Sequence, residues 1–249
     1  MINPSKTLVI IGGSRGIGAS TAKLAFSKGY RVVIGYQKQR TSAKEIVSQI
    51  NVSGGVASAY EIDITSFSSV EMFFKKIVNT YGVPDAVVQC AGYSKKRQTL
   101  MDMTEEDIVG ILAVNLTGTF FCLRAAAKIM SISRGGNGGS IVTLSPEAAR
   151  FGGNGISVYA ASKAGINAMT LGVARELATE KIRLNSVSPG VINTDLNIGD
   201  NNPNSDPILM TIPLGRRGSP EEVANAILWL ISDEASYITG SILTVAGGR

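Results

Sequence analysis

Tyr159 and Lys163 stand one helical turn apart in the stretch YAASK, so on a helix both side chains project to one face. An ammonium beside a phenol favours the phenolate, drawing a pKa of about 10 towards neutrality. A tyrosine tuned in that way protonates a carbonyl oxygen as hydride reaches its carbon, or removes the proton in the reverse direction. Alone, Y-x-x-x-K also arises on helix surfaces by accident. A second stretch, IIGGSRGIGAS, fits two chemistries at once. Gly12-Gly13-Ser14-Arg15-Gly16 matches G-x-S-x-G, the strand-to-helix turn that raises a nucleophile in serine hydrolases, here Ser14. Gly12, Gly16 and Gly18 also match a turn that lets the pyrophosphate of a dinucleotide approach the backbone.

The chain has no histidine. A nucleophilic serine needs a base to take its proton, usually a histidine oriented by an acid. Lysine replaces it in some enzymes, so the count weighs against the hydrolase without closing it. The same absence removes histidine-containing metal sites. Two cysteines, Cys90 and Cys122, cannot build a thiolate site, and no acidic cluster suggests a carboxylate one, so no metal is expected. The net charge of +5 is unevenly spread: Lys6, Arg15, Lys23, Lys28, Arg31, Lys38, Arg40 and Lys44 all precede the first acid, Glu45. That asymmetry suits an anionic ligand at this end, or a solvated basic face. No basic run resembles a groove-reading element and base-stacking aromatics are few, so nucleic acid is not the expected partner.

The elements that must position these residues follow from periodicity. Apolar runs alternate with helical patterns: TLVIIG, YRVVIGY, ASAYEID, PDAVVQCAG, GSIVTLS, KIRLNSVSPG and GSILTVAGG read as strands. Helices are expected from near Gly16, from about Ser42, through SFSSVEMFFKKIVNTYG and through DIVGILAVNLTGTFFCLRAAAKIM. Two more cover VYAASKAGINAMTLGVARELATE and Pro220 to about Ser232. Repeated β-α-β order implies a single α/β domain over 1–249, a Rossmann-type doubly wound parallel sheet with helices on both faces. Residues 133–140 read as a flexible surface turn. Residues 195–218, polar and then apolar at Ile208, Leu209 and Met210, read as a substrate lid near the strand C-termini. The start, MINPSKTLVI, does not resemble a signal peptide and no apolar run reaches about 18 residues, so no membrane segment is expected. Both cysteines sit in apolar surroundings, which suits reduced thiols and the cytoplasm.

In such a β-α-β unit the glycine turn becomes a phosphate cradle, with Ser14 and Arg15 on the phosphate side and a helix N-terminus offering unpaired N–H groups. NAD-specific folds carry an acid at the end of the second strand. Here that place reads Gly35-Tyr36-Gln37-Lys38, with Arg40 beyond it. Arg15, Lys38 and Arg40 would welcome a 2′-phosphate, which predicts NADPH/NADP+ in preference to NADH/NAD+.

From about Thr7 to Gly248 the chain resembles the short-chain dehydrogenase/reductase family. Gly12, Gly16 and Gly18, with Ile17 between them, match its cofactor turn; Asp63, followed by Ile64, matches the acid near the adenine; Ala91-Gly92 matches the small step after strand four. The resemblance implies that Asn115 holds a proton-relay water, that Tyr159 and Lys163 are the catalytic pair, and that Lys163 also binds the nicotinamide ribose. Pro189, Gly190, Val191, Ile192 and Thr194 match the segment at the nicotinamide end, and Tyr36 falls at the ribose end. The subgroup implied includes 3-oxoacyl-[acyl-carrier-protein] reductases of fatty acid biosynthesis and related carbonyl, sugar and alcohol dehydrogenases. The expected substrate is a small-molecule carbonyl: a 3-oxoacyl thioester on an acyl carrier protein, or a free ketone, aldehyde, quinone or sugar. Lys128 and Arg175 lie where related reductases dock the carrier. The resemblance also implies a homotetramer or homodimer, joined through the long helices and the C-terminal strand.

Three departures stand out. Ile11 replaces a common threonine, and Gln89-Cys90 replace two asparagines. Pro146 occupies the place of the serine that hydrogen-bonds the substrate carbonyl, with Ser145 just before it. A one-residue loop insertion would keep Ser145 at the site, and that is the expectation. Alternatively Ser145 points away, which would suit a cofactor-binding partner subunit with little chemistry.

Overall fold

The strand-like runs become one parallel sheet whose central strands, apolar on both sides, must be covered on both faces. A computed structural model describes residues 6–194 and 207–249. The strands are β1 (Lys6–Ile11), β2 (Tyr30–Tyr36), β3 (Ala57–Glu61), β4 (Ala86–Gln89), β5 (Gly139–Leu144), β6 (Ile182–Pro189) and β7 (Ile242–Val245). Their order is β3-β2-β1-β4-β5-β6-β7, every pairing parallel. The helices are α1 (Gly16–Ser27), α2 (Arg40–Val52), α3 (Phe67–Tyr81), α4 (Glu105–Leu112), α5 (Gly118–Met130), α6 (Ala148–Phe151), α7 (Ser157–Ala178) and α8 (Pro220–Ile231). This is the expected doubly wound architecture.

Strand alternation splits the core in two. Leu8 and Ile10 of β1 pack with Ala43 and Ile46 of α2 and Val223 and Ile227 of α8. Val9 and Ile11 pack instead with Phe73 and Phe74 of α3, Leu123 of α5 and Ile166 of α7. Ile11 therefore fills core where a hydroxyl was the alternative. Helix starts obey local chemistry: Ser219 and Glu222 form a capping box on α8 with Pro220 inside it, and Thr104 and Asp107 form another on α4. Other helices start without such help, α1 among them: it has no side-chain cap and no acid in its first turn.

Four expectations change. First, α2 begins at Arg40, ahead of Ser42, which exposes the arginine on the opening turn. Second, residues 133–140 are tied down rather than loose. The Glu180 carboxylate accepts from Ser131 Oγ (2.5 Å), Ser133 N–H (3.0 Å) and Ser133 Oγ (2.8 Å). Third, the long helical region is one rod whose middle, Ala113–Thr117, is a π turn with Asn115 buried in it. By length and composition Glu105–Met130 would suffice to cross a bilayer, its 18-residue apolar window having mean hydropathy 1.7. Counting unbroken apolar residues hides this, because Asn, Thr and Arg interrupt the run. Here the rod is a core element, burying Ile111, Cys122, Leu123, Ala126 and Met130. Fourth, the lid divides: 195–206 lie outside the described residues, and Pro207–Thr211 form a 3₁₀ turn. Ile208 and Leu209 are half-buried, and Met210 is 91% exposed.

Gly118, first residue of α5, sets how closely the rod approaches the segment after β3. A Cβ there would lie 2.9 Å from both the Ile64 carbonyl oxygen and Ile64 Cγ1. Gly118→Ala should therefore overpack this contact, lowering stability by about 1–3 kcal/mol in urea unfolding. An unchanged midpoint would show that the rod has slack here.

Candidate active site

Chain order reverses between β1 and β4, and at such a switch point the loops beyond the strand C-termini part. The cleft that opens there has a volume of about 640 Å³. One end is made mostly of backbone. Gly12 and Gly13 both donate to the Gly35 carbonyl, at 2.8 and 3.3 Å, which hangs the turn on the end of β2. Gly12 has φ +83°, and a Cβ on it would lie 2.5 Å from the Ala91 nitrogen. A Cβ on Gly18 would lie 2.3 Å from the Gly12 oxygen. Only glycine lets the turn, β4 and α1 come this close. Because α1 is uncapped, its first N–H groups stay available beside Ser14, Arg15, Gly16 and Ile17, all of which line the cleft. That is the donor set a pyrophosphate requires, so the residues present fit a dinucleotide.

Beyond the turn, Tyr36, Gln37, Lys38 and Gln39 line one wall and Asp63, Ile64 and Thr65 another. Asp63 Oδ1 accepts from the Thr65 N–H (2.9 Å) and hydroxyl (2.7 Å). Arg40 is a correction: expected at the cofactor, it does not line the cleft, since α2 starts early and carries it outward.

The other end is made of side chains. Ala91 and Gly92 follow β4, Pro189 and Gly190 end β6, Ile192 and Thr194 follow, and Tyr159 and Lys163 project from α7, all lining the cleft. Lys163 is 4% exposed; its Nζ donates to the Leu144 carbonyl at 3.3 Å and lies 5.9 Å from the Tyr159 ring centroid. A Cβ on Gly92 would come within 3.3 Å of that Nζ. Burial pushes Lys163 down to about 8 and Tyr159 up to about 12. For Tyr159 this is opposite in direction to the expected fall towards neutrality, and burial is its cause. Tyr159 keeps its proton near neutrality, which suits giving it away.

Ser145 is the second correction. It is fully buried and its Oγ donates to the Lys163 carbonyl at 2.7 Å, so it braces α7 instead of facing the cleft. Pro146 lines the cleft in its place and has no donor to offer. Asn115 does not line the cleft either. Its side chain accepts from the Tyr93 N–H and donates to the Tyr93 carbonyl, both at 2.8 Å, and also donates to Ser162 Oγ at 3.2 Å. Ser162 Oγ in turn donates to the Tyr159 carbonyl at 2.6 Å. Gln89 finds a use of its own: its Oε1 accepts from the Ala91 N–H (3.3 Å), its Nε2 donates to Thr119 Oγ1 (3.2 Å), and Thr119 donates to the Asn115 carbonyl (2.7 Å). Cys90 lines the cleft half-buried while Cys122 is buried in the core, and burial pushes both thiols up to about 12.

Sequence reasoning missed Tyr93, Lys95 and Asp107, which line the cleft. Lys95 forms an ion pair with Asp107, and Gln98 Nε2 donates to the same carboxylate at 3.0 Å. The T-x-x-D spacing from Thr104 to Asp107 announces a capping box, and through it the place of Asp107. No comparable signal marks Tyr93. Lys128 and Arg175 are exposed on α5 and α7, away from the cleft lining.

Comparison with known proteins agrees with this geometry. The family described as enoyl-(acyl carrier protein) reductase matches residues 12–249. An uncharacterized oxidoreductase of Escherichia coli, YgfF, is 41% identical over 97% of this chain and 98% of its own length. A 3-oxoacyl-[acyl-carrier-protein] reductase of Synechocystis is 36% identical over 98% of this chain and 96% of its own. A double-mutant short-chain dehydrogenase/reductase from Serratia marcescens superposes with TM-score 0.90 at 30% identity, covering all of this chain and 99% of that one.

The orientation of Ser145 makes a sharp prediction. Ser145→Ala removes a brace from α7 and should lower kcat by about tenfold or less, while loss of a true oxyanion donor would cost about 10²–10³-fold. Steady-state turnover decides it, and a loss in the larger range would return Ser145 to the reacting end.

Proposed function

The chain belongs to the short-chain dehydrogenase/reductase family of NAD(P)-dependent oxidoreductases, and from that premise we propose that it reduces the carbonyl of a 3-oxoacyl thioester with NADPH. The observation that carries the reading is that a protonated Tyr159 and a buried Lys163 line the same cleft as the uncapped start of α1. When bound, the reduced nicotinamide supplies the hydride. Tyr159 gives its proton to the carbonyl oxygen. Lys163 places positive charge beside the phenol as it becomes anionic, and its N–H groups serve the ribose. Asn115 and Ser162 hold the α7 backbone at Tyr159, so the proton is offered from a fixed position.

The preference for NADPH rests on charge. Arg15 and Lys38 line the ribose end, and no carboxylate occurs from Gly35 to Arg40. A 2′-phosphate meets donors there and no repulsion. The thioester is supported by the name of the Synechocystis relative and by exposed apolar residues such as Met210 and Leu214 flanking Ile212. Exposed Lys128 and Arg175 suit an acidic carrier protein. Self-association through the outer faces of α4, α5 and α7, where Val109, Phe120 and Leu171 are exposed, belongs to the same proposal. One observation favours a second reading, a cofactor-binding subunit of low turnover: Ser145 is turned away and Pro146 stands in its place.

A charge-assisted hydrogen bond to the 2′-phosphate contributes about 1.5–3 kcal/mol. Measured kcat/KM should therefore favour NADPH over NADH by about ten- to hundredfold; equal values would overturn the cofactor assignment. Tyr159→Phe should bind NADPH normally yet lose about 10²–10⁴ in turnover of acetoacetyl thioesters. Binding without turnover in the parent, across thioesters and free carbonyls, would favour the subunit reading. The pH profile follows from Lys163, whose cation exists below about 8 and is lost above it. Values of kcat/KM for NADPH, which report the free enzyme, should fall as pH rises through that region.

A further inference from the structure

If Tyr159 protonates the substrate, the carbonyl still needs a second donor to fix its direction, and neither Ser145 nor Pro146 supplies one. Besides the residues already placed, Cys90 and Thr194 among them, the cleft lining includes Tyr93, Lys95, Glu106, Asp107, Val114 and Pro146. Val114 and Pro146 have no hydrogen to donate, and a carboxylate repels a carbonyl oxygen that is gaining charge. The Lys95 ammonium is held by Asp107. Tyr93 offers a hydroxyl that no hydrogen bond engages among the described residues.

Its backbone is fixed to an unusual degree. The Asn115 amide clamps the Tyr93 N–H and C=O together, each at 2.8 Å, and Asn115 is itself immobilised in the π turn with no exposure. Through Ser162 the same amide reaches the carbonyl of Tyr159. One buried group therefore sets the backbones of both tyrosines. The Tyr93 residue is 38% exposed, which leaves its side chain accessible to a ligand. A phenol on so rigid a support loses little freedom when it binds, which is what an orienting donor requires.

We infer that Tyr93 is the second carbonyl donor, a substrate-orienting residue that takes the role Pro146 cannot perform. The inference rests on the carbonyl-reductase reading above, and the test separates the two. Tyr93→Phe keeps the ring and removes only the hydroxyl. It should lower kcat with an acetoacetyl thioester by about 10²-fold, the scale of one oxyanion donor, with the NADPH dissociation constant unchanged. Adding Pro146→Ser to that variant restores a hydroxyl to the same cleft wall and should recover most of the loss. Wild-type kcat in Tyr93→Phe, while Tyr159→Phe is inactive, overturns the role of Tyr93 and spares the reductase reading. Full activity in Tyr159→Phe overturns both. A loss in Tyr93→Phe that brings weaker NADPH binding overturns the inference as well, because the hydroxyl would then serve the nucleotide.

Discussion

The buried amide of Asn115 is the constraint on which the reacting end of this molecule depends. An amide with no access to water must meet its hydrogen-bonding capacity inside the protein, because each unmet group costs about 1–3 kcal/mol. Here it does so through Tyr93 on one side and Ser162 on the other. The π turn makes that possible by displacing the register of the rod at Asn115, and such turns recur at functional sites. The backbone of the same residue accepts from Thr119, which Gln89 also engages, so the end of β4 joins the network. Loop, rod, strand and catalytic helix are thereby held by one connected set of bonds, whose members polarise and orient one another.

Burial gives the two reactive groups their character. Lys163 sits almost without solvent and with one backbone carbonyl, that of Leu144, as its hydrogen-bond acceptor. A cation so placed is under-compensated, and this is why its proton is held less firmly than in water. Tyr159 is affected in the opposite sense, because the form that suffers from desolvation is the anion. Each group is thus biased towards its neutral state, and ligand oxygens entering the cleft would reverse the bias at Lys163. A site of this kind gives up stability in the free protein for interactions completed only on binding.

What the residues disclosed in advance, and what they withheld, divides along physical lines. Strands covered on both faces are near-continuous apolar runs, so β1, β2 and β4 were legible and with them the topology. The glycine turn was legible because Gly12 and Gly18 answer to backbone distances no other residue tolerates. Spacing alone does not report which way a hydroxyl turns, so Ser145 was placed at the reacting end although its acceptor is the Lys163 carbonyl. Nor does it report desolvation, which decides Tyr159. The π turn leaves the helical pattern of the rod intact while shifting its register, and the loop at 133–140 looks loose until Glu180, distant in sequence, is seen to hold it. Tyr93 belongs to no spacing rule; its importance comes from Asn115.

The two ends of the cleft therefore differ in how they tolerate change. At the nucleotide end the contacts are main chain and their geometry is enforced by excluded volume, so side chains such as Arg15 and Lys38 can select the ligand without holding the turn together. At the reacting end the geometry is carried by side-chain hydrogen bonds that anchor backbone: Asn115 to Tyr93, Ser162 to Tyr159, Ser145 to Lys163. Such anchoring leaves the surface of the cleft open to substitution, because the residue that meets the substrate need not be the one that sets the backbone. Pro146 illustrates the point. It changes the chemistry offered to a ligand, while Ser145 beside it goes on fixing α7, so the wall keeps its shape as its donors move elsewhere.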